Sequence, residues 1–308
     1  MALLAAGLLA GCAGSDENEI PGADRQPILL NAGIQQMTEG TRATTFDNAT
    51  ALQTEGSFTC VAYNANTTTE YISPTTVNWN STTSQWEFNS GASHYYWPLP
   101  SSPGGAYPAL DFFAYMPAST PGYITNLEYS ATSTPSETHT ITFDADLSSG
   151  AAKEFIFALA LDQDKAGTNS TTQPTAGQVD LAFKHPFARV KFVQGTKPST
   201  VTINSVSLSG VKMNGSFSYD GSTSSWSDQA TTKKGTLSGF NEWFLAVPSS
   251  DTRTLSVNCT WTDWGDVTRD ITATIPDNWA IGTSYTYTIS VTKEYALKVD
   301  IAKFTEQW

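Results

Sequence analysis

Short segments in which apolar and polar residues alternate recur along this chain from residue 43 onward, and they constrain the fold more than any other feature. Residues 57–63, 139–143 and 254–262 repeat with a period of two, as expected for β-strands that bury one face. Turn-forming residues separate such segments at intervals of roughly 8–12 residues. Long apolar patterns with a helical period are missing after the first ten residues. The sequence therefore predicts an all-β protein, built of antiparallel β-sandwiches, with almost no helix.

A polar stretch divides the strand pattern into two halves. Residues 163–178 contain Gly, Thr, Ser, Asn and Gln but no large apolar residue, a composition typical of a linker. Strand patterns resume at residues 179–183 and 187–193. Because 308 residues are enough for two domains of ordinary size, we expect two sandwiches in tandem, one over residues 43–168 and one over residues 175–308.

The charge of the chain excludes two classes of partner. Its formal net charge is −13, and only 15% of its residues are charged. Nucleic-acid binding requires a basic surface that neutralises phosphates, so we expect no nucleic-acid partner. Attachment to anionic lipid through a basic patch is excluded for the same reason.

Sequence signals for catalysis are weak. The three histidines do not have the spacing of metal ligands, and no nucleophile elbow or phosphate-binding loop is present; the histidines are His94, His139 and His185. The segment 162–167 begins like a calcium loop but lacks the later ligands of that motif. Two acidic pairs, Asp144 with Asp146 and Asp263 with Asp266, lie in turn-like stretches where solvated carboxylates are common. We expect no enzyme activity, no metal and no cofactor.

Two cysteines lie within predicted strands. Cys60 and Cys259 each alternate with polar residues so that the thiol falls on the buried face. Since the two strands belong to different predicted domains, we expect two separate buried thiols rather than a disulfide.

The N-terminus resembles an export and anchoring signal. An apolar run over residues 2–10 is too short to span a membrane and ends in Leu-Ala-Gly-Cys. That ending resembles the lipobox of bacterial lipoproteins, in which the cysteine is lipidated after the leader is removed. Residues 1–11 are therefore predicted to be a signal peptide, and Cys12 the lipidated residue.

An apolar strand and a basic loop follow this signal. The strand is formed around Ile28, Leu29, Leu30 and Ile34, and residues 35–40 after it are polar except for one methionine. Arg42-Ala43 then offers an exposed basic site to a trypsin-like protease. Cleavage at Arg25, the alternative site, would leave the apolar strand attached.

The C-terminal segment carries a second apolar pattern with a period of two, formed by Leu297, Val299 and Ile301. A strand at a chain terminus must pair with another strand. It could form an edge strand of its own sandwich, or it could pair with another chain.

Several motifs, taken in their order, resemble the fimbrillin, or type V pilin, proteins of anaerobic Gram-negative bacteria. The resemblance covers the whole chain and rests on the Cys12 lipobox, Thr-Arg-Ala at 41–43, Phe-Phe-Ala-Tyr-Met-Pro at 112–117, the segment 182–192 around His185, and Trp279 followed by Tyr-Thr-Tyr at 285–287. It implies two tandem transthyretin-like β-sandwiches. His185 is then a structural residue at the start of the second domain.

The resemblance also implies a mechanism of assembly. Residues 12–42 would be a lipid-anchored propeptide, and cleavage after Arg42 by an Arg-specific protease would release the strand Ile28–Leu30 with Ile34 as a leaving strand. A donor strand from another fimbrial subunit, with Leu297, Val299 and Ile301 as the candidate, would refill the groove. The protein would thus be a structural or tip-accessory subunit at the outer cell surface that serves adhesion to a host or bacterial ligand.

Two alternatives remain open from the sequence. One is a monomeric, lipid-anchored glycan-binding protein that uses Trp and Tyr side chains, such as Trp79, Trp86 and Trp97, as sugar platforms. The other is a glycosidase that uses paired carboxylates, whose separation a sequence does not reveal.

Overall fold

The protein is built almost entirely of β-strands. The computed structural model describes residues 25–34, 46, 48–88, 95–102, 105–132, 138–149, 153–167, 176–229, 232–236, 240–263, 265–275, 278–294, 297–300 and 306–307. These ranges contain twenty strands, one α-helix of seven residues and one 3-10 helix. The all-β prediction is confirmed.

Nine strands and the helix lie in the first 183 residues. In chain order these elements are β1 (Leu29–Ile34), α1 (Ala49–Glu55), β2 (Ser57–Asn64), β3 (Glu70–Asn80), β4 (Gln85–Phe88), β5 (Leu110–Met116), β6 (Ile124–Thr132), β7 (Thr138–Asp146), the 3-10 helix Leu147–Ser149, β8 (Ile156–Gln163) and β9 (Gln178–Phe183).

Eleven further strands follow. They are β10 (Ala188–Gln194), β11 (Val201–Lys212), β12 (Asn214–Tyr219), β13 (Ser224–Ser227), β14 (Thr232–Thr236), β15 (Trp243–Ala246), β16 (Arg253–Trp261), β17 (Val267–Ile275), β18 (Thr283–Val291), β19 (Leu297–Asp300) and β20 (Glu306–Gln307).

The first sheet curls until its two ends meet. Its seven strands have the order β8-β5-β2-β3-β4-β1-β9. Beyond this order, Phe157 of β8 and Lys184 after β9 exchange two backbone hydrogen bonds, of 3.2 and 2.7 Å. The concave face encloses one hydrophobic core, to which Phe58, Phe112 and Leu181 contribute. The sheet therefore surrounds its core, and β1 is one of the strands that close it.

The convex face of the same sheet packs against a second sheet. That sheet has four strands in the order β13-β12-β7-β6. Alternate residues of β2, β5 and β8 point to the two cores, so that Phe112 lies in the concave core and Phe113 in the core between the sheets. The nearly continuous apolar run of β8 follows from this position, because the strand is covered on both faces although it lies at one end of the hydrogen-bonded order.

The remaining strands form a sandwich of two sheets. One sheet has the order β15-β10-β18-β19, with β20 also pairing with β18, and the other has the order β14-β11-β16-β17. Their facing side chains form a third core around Phe192, Val257 and Tyr287.

Besides the bridge between Phe157 and Lys184, strand pairing crosses the predicted linker in two places. β9, which follows residues 163–178, pairs in parallel with β1. The hairpin β12–β13, from the C-terminal half, pairs with β7 and stacks Phe217 on Phe143 with ring centroids 4.8 Å apart. The division into residues 43–168 and 175–308 stays a prediction, and three strands from the second range complete sheets of the first.

Helix α1 is short and capped at both ends. The Asn48 side chain accepts a hydrogen bond from the Ala51 amide, and Gly56 ends the helix in the left-handed region with φ of 81°. Leu52 is fully buried in the concave core, and the helix packs against β1. Within the described residues, no helix is long and apolar enough to cross a bilayer.

Candidate functional site: the groove that holds the first strand

Strand β1 lies between two strands that are distant from it in sequence. It is parallel to β9 over six residue pairs, from Leu29 opposite Gln178 to Ile34 opposite Phe183. On its other side it is antiparallel to β4 through the pair Leu30 and Trp86. We call the space between β4 and β9, which β1 occupies, the β1 groove. One long ladder and one short contact hold the strand in it.

The residues just before β1 extend this attachment. The Ile28 amide donates to the Tyr95 carbonyl at 2.8 Å, and the Trp97 amide donates to the Gln26 carbonyl at 3.0 Å. The Gly177 carbonyl accepts from the Leu29 amide at 3.1 Å and from the Trp97 indole at 3.2 Å. Gly177 has a φ of +77°, a backbone conformation that L side chains rarely adopt, and a Cβ there would also meet the end of the Gln26 side chain. The positive φ therefore favours glycine at this close approach.

Alternate side chains of β1 enter the concave core. Ile28, Leu30 and Ala32 are 5%, 7% and 6% exposed, and Ile34 is half-buried against the same core. Leu29 points outward and is 43% exposed. Leu29 was predicted as part of the leaving strand, and it lies on the strand but outside the core. The inward side chains meet an aromatic lining in which Phe58 lies 5.0 Å from Trp86 and 5.5 Å from Phe183 between ring centroids.

On the outer face of the groove, the Asp180 carboxylate binds a side chain at one position of β1. Asp180 lies directly opposite Asn31 and accepts a hydrogen bond from the Asn31 side chain at 2.9 Å. The Gln178 side chain donates to the same Asp180 oxygen at 2.9 Å. Asp180 is half-buried, so its charge is screened less than that of a fully exposed carboxylate. A strand in this groove thus has a preferred partner at one outward position.

Some predicted site residues lie outside the described residues. These are Cys12, Arg42, Ala43, Ile301 and His94. Arg42 lies between Ile34 and Phe46, the nearest residues that the structure describes on either side. Both of these residues contribute to the concave core. The predicted cleavage after Arg42 therefore falls between two segments that share one core.

The candidate donor segment is paired within its own sandwich. β19 is antiparallel to β18, with Leu297 opposite Val291 and Val299 opposite Ile289. It is the last strand in the order of that sheet. Of the two roles left open from the sequence, this arrangement corresponds to the edge strand, and the donor role stays a prediction.

The described histidines make structural contacts. His185 Nδ1 lies 2.7 Å from a Glu154 oxygen, and both side chains are buried where β8 and β9 meet. His139 Nδ1 lies 3.0 Å from the Tyr129 hydroxyl and 3.7 Å from Asp111. Both imidazoles and both carboxylates are buried.

The acidic pairs also have local partners. Asp144 accepts from Ser216 and Asn126, which lowers its pKa, and Asp263 accepts from Thr200. Among the described residues, no three His, Cys, Asp or Glu side chains form a cluster that could hold a metal. Trp86 and Trp97, proposed above as sugar platforms, are 6% and 2% exposed and fill the concave core.

Both strand cysteines are free and buried, as predicted. Cys60 lies in the concave core together with Leu30, and Cys259 lies in the core of the C-terminal sandwich. Burial raises the pKa of Cys60 from 9.0 to about 12 and that of Cys259 to about 11. Because the folded-state values are higher, ionisation of the unfolded chain removes stability as the pH rises from 9 towards 12.

Sequence reasoning missed Asp180, Gln26 and Gly177. The alternation of residues 179–183 was recognised as a strand, but a sequence does not state which strand it pairs with. A Gly next to a predicted strand was the available signal for the close approach at Gly177.

The chain is similar to proteins of one family. A family model described as fimbrillin-like matches residues 41–308. A search of curated proteins gives no significant match. Among solved structures, a fimbrial protein from Bacteroides vulgatus is 15% identical with a TM-score of 0.53, over 92% of this chain and 100% of that chain. A candidate cell-adhesion protein from Bacteroides uniformis is 16% identical with a TM-score of 0.51, over 90% and 98% of the two chains. At these identities the structures show a shared fold.

Proposed function

This chain belongs to the fimbrillin-like family, a family of fimbrial proteins and not of enzymes, and on that premise we propose that it assembles into surface fimbriae by strand exchange after proteolytic cleavage. It would act as a structural or tip-accessory subunit with a role in adhesion. The observation that supports this proposal most is the position of β1. A segment that precedes the predicted cleavage site fills a groove between β4 and β9 without being needed to connect any other strands.

The proposed sequence of events begins with the uncleaved precursor. Cys12 carries a lipid in the outer membrane, and β1 fills the groove. An Arg-specific protease cuts between Arg42 and Ala43, so that residues 12–42 are held only by the non-covalent contacts of β1. When β1 leaves, the lipid anchor leaves with it.

The empty groove is then unfavourable in water. Unpaired N–H and C=O groups of β9 and β4 are exposed together with the aromatic lining. Ile28, Leu30, Ala32 and the half-buried Ile34 together contribute on the order of 4–8 kcal/mol of burial before ordering costs. A strand from another fimbrial subunit recovers this free energy by β-augmentation. The same interface explains why a fibre would persist once formed.

The mass of the mature protein tests the cleavage step. We expect protein recovered from the cell surface to begin at Ala43, and the Arg42→Ala variant to remain lipidated at Cys12 and monomeric. Arg25→Ala is the matched control, because a cut at Arg25 would leave β1 in place. Intact mass spectrometry identifies the first residue and its lipidation, and electrophoresis of unheated samples shows whether the protein is monomeric or forms ladders. A mature wild-type protein that still begins at Cys12 contradicts the processing step and favours the monomeric glycan-binding lipoprotein.

Cys60 reports whether the groove opens. At pH 8 we expect iodoacetamide to modify neither Cys60 nor Cys259 in the uncleaved protein, because both thiols are buried and protonated. After cleavage at Arg42, before assembly, Cys60 should react at least about tenfold faster, since its core has lost β1. Cys259 lies in a different core and serves as the internal control. Equal protection of Cys60 before and after cleavage would show that β1 stays in the groove.

A further inference from the structure

A cleft of about 460 Å³ opens where the hairpin β12–β13 meets the C-terminal sandwich. One wall is formed by Trp226 and its neighbours on and just after β13, and the other by residues 248–250 and 278–281 in the loops before β16 and β18. Its described lining residues include none from β1, β4 or β9, so the cleft shares no residue with the strands that form the β1 groove. Its volume lies within the range of small-molecule sites, about 300–1,000 Å³.

The wall on β13 is held in place by hydrogen bonds and ring packing. The Trp226 indole nitrogen donates to the Pro186 carbonyl at 2.8 Å. Its half-buried ring packs against Phe143 and Phe217, with centroids 5.8 and 5.2 Å apart. The Gln229 side chain donates to the carbonyl of residue 248 at 2.8 Å and so ties this wall to the opposite one.

A buried cation supports the second wall from behind. Arg253 is fully buried and donates from Nη2 to the Ser249 carbonyl at 2.8 Å and to the Ser249 hydroxyl at 2.7 Å. Its guanidinium carbon lies 3.7 Å from the centre of the Trp279 ring. The Trp279 amide in turn donates to the Ser249 carbonyl at 3.0 Å. The two loops of this wall are therefore joined to each other.

The motif of Trp279 followed by Tyr-Thr-Tyr fixes the same wall. The Tyr285 hydroxyl donates to the Asn278 carbonyl at 2.8 Å and accepts from the Ala280 amide at 2.8 Å. The Tyr287 hydroxyl accepts from the Trp279 indole at 2.8 Å. These bonds use the backbone of Asn278 and leave its side chain exposed. Both walls are thus preorganised, which lowers the entropy cost of binding.

The lining offers uncharged hydrogen-bonding groups. Four polar side chains of the cleft make no hydrogen bond within the described part of the chain, and they are Ser224, Ser225, Ser250 and Asn278. Hydroxyl and amide groups can both donate and accept. No described lining residue is charged. Beside these groups lies the partly exposed indole of Trp226, an apolar surface.

This combination matches the chemistry of a sugar ring, which carries hydroxyls around its rim and apolar C–H groups on its faces. We propose that the cleft binds a neutral sugar unit of a glycan, with Asn278 and Ser225 as hydrogen-bonding partners and Trp226 as the apolar contact. An acidic sugar is disfavoured, because the chain has a net charge of −13 and the described lining supplies no cation. The inference deepens the adhesive role proposed above, on which its biological meaning rests, but sugar binding itself does not require strand exchange.

A peptide is a less suitable occupant of the cleft. β13 is the last strand in the order of its sheet, so an extended peptide could in principle pair with it. The strand has only four residues, and strand addition derives its affinity from a long ladder of main-chain hydrogen bonds. The uncommitted groups of the cleft are side-chain hydroxyls and an amide, which suit the separate hydroxyls of a sugar.

A fibre would present this cleft once in every subunit. Single sugar sites of this size can bind weakly and still be effective, because linked sites raise the overall affinity by about 10²–10⁴ without any new contact. The cleft shares no residue with β1, β4 or β9, so we expect it to be available both in the monomer and in the polymer.

Ligand-observed NMR with the uncleaved full chain tests the site. The probes are the methyl glycosides of glucose, galactose, mannose, fucose, N-acetylglucosamine and N-acetylgalactosamine, each at up to about 20 mM, with the methyl glycoside of sialic acid as the acidic comparison. We expect at least one neutral probe to bind. Asn278→Ala should weaken its binding at least about tenfold, because sugar hydroxyls lose their partner, and Ser225→Trp should abolish it by filling the cleft. Asn204→Ala is the matched control, since Asn204 is an exposed asparagine outside the cleft, and it should bind as the wild type does.

The outcomes separate this inference from the proposed function. Asn278 and Ser225 are both exposed, so the two variants should unfold at the wild-type temperature, which shows that any loss of binding is local. Equal binding by wild type and both variants would place the sugar elsewhere and overturn the cleft. Binding of the sialoside alone, or of no probe, overturns the ligand class. Fibres that form without sugar binding contradict this inference alone, whereas sugar binding by a chain that never polymerises contradicts strand exchange alone.

Discussion

Replacing Leu30 with aspartate is expected to destabilise the uncleaved protein by about 4 kcal/mol or more, because a carboxylate would enter the concave core in place of an apolar side chain. Leu30 is 7% exposed and lies opposite both Trp86 and Val179. Since β1 closes the sheet, its loss should expose the aromatic lining and shift the emission of Trp86. Urea unfolding followed by tryptophan fluorescence measures the change.

A neighbouring residue gives the matched control. Leu29 is on the same strand but is 43% exposed, so Leu29→Asp should change the free energy of unfolding by no more than about 0.5 kcal/mol. The comparison can be repeated after cleavage at Arg42 and removal of residues 12–42. Wild type and Leu30→Asp should then have the same stability, because the altered residue has left the protein. A persistent difference would mean that β1 remains bound after cleavage.

Local patterns in the sequence predicted most of the strands but not their partners. The hairpin of β3 and β4 pairs Trp79 with Trp86, and its turn and both strands are adjacent in the chain, so that a local pattern is enough to indicate it. The pairing of β12 with β7 joins residues that are about seventy positions apart. Such a pairing depends on which sheet edge is free in three dimensions, and alternation alone carries no information about it.

Helix α1 was missed for a related reason. Only Leu52 of its seven residues is buried, so the apolar periodicity that identifies longer helices is absent. Its capping residues, Asn48 and Gly56, were visible in the sequence and could have indicated both ends.

The candidate site was predicted in part. The apolar strand before the basic loop was identified, and it lies in the sheet as β1. Three consecutive apolar residues, Ile28 to Leu30, left its inward face undecided, and only the structure places Leu29 outside. Asp180 was not identified, because its importance comes from lying opposite Asn31 across the predicted linker.

Removing residues 296–308 should abolish polymer formation after normal cleavage at Arg42. In the proposed mechanism this truncation removes the donor strand while the groove between β4 and β9 remains intact. We expect at least about a tenfold loss of polymer on unheated gels, because the acceptor groove has no strand to bind. Removing residues 303–308 alone is the matched control. It retains Leu297, Val299 and Ile301 and should still give ladders.

A mixing experiment distinguishes a lost donor strand from a misfolded protein. β19 also pairs with β18, so the truncation leaves β18 with a free edge, and the truncated chain could fail to assemble because its C-terminal sandwich is disturbed. A folded chain without residues 296–308 can still accept a strand but cannot donate one. Added in small amounts to cleaved wild-type protein, it should therefore terminate growing fibres and shorten them in proportion to its concentration. If the truncated chain is folded but leaves fibre length unchanged, its groove does not accept the C-terminal strand. Strand exchange through the β1 groove would then be contradicted.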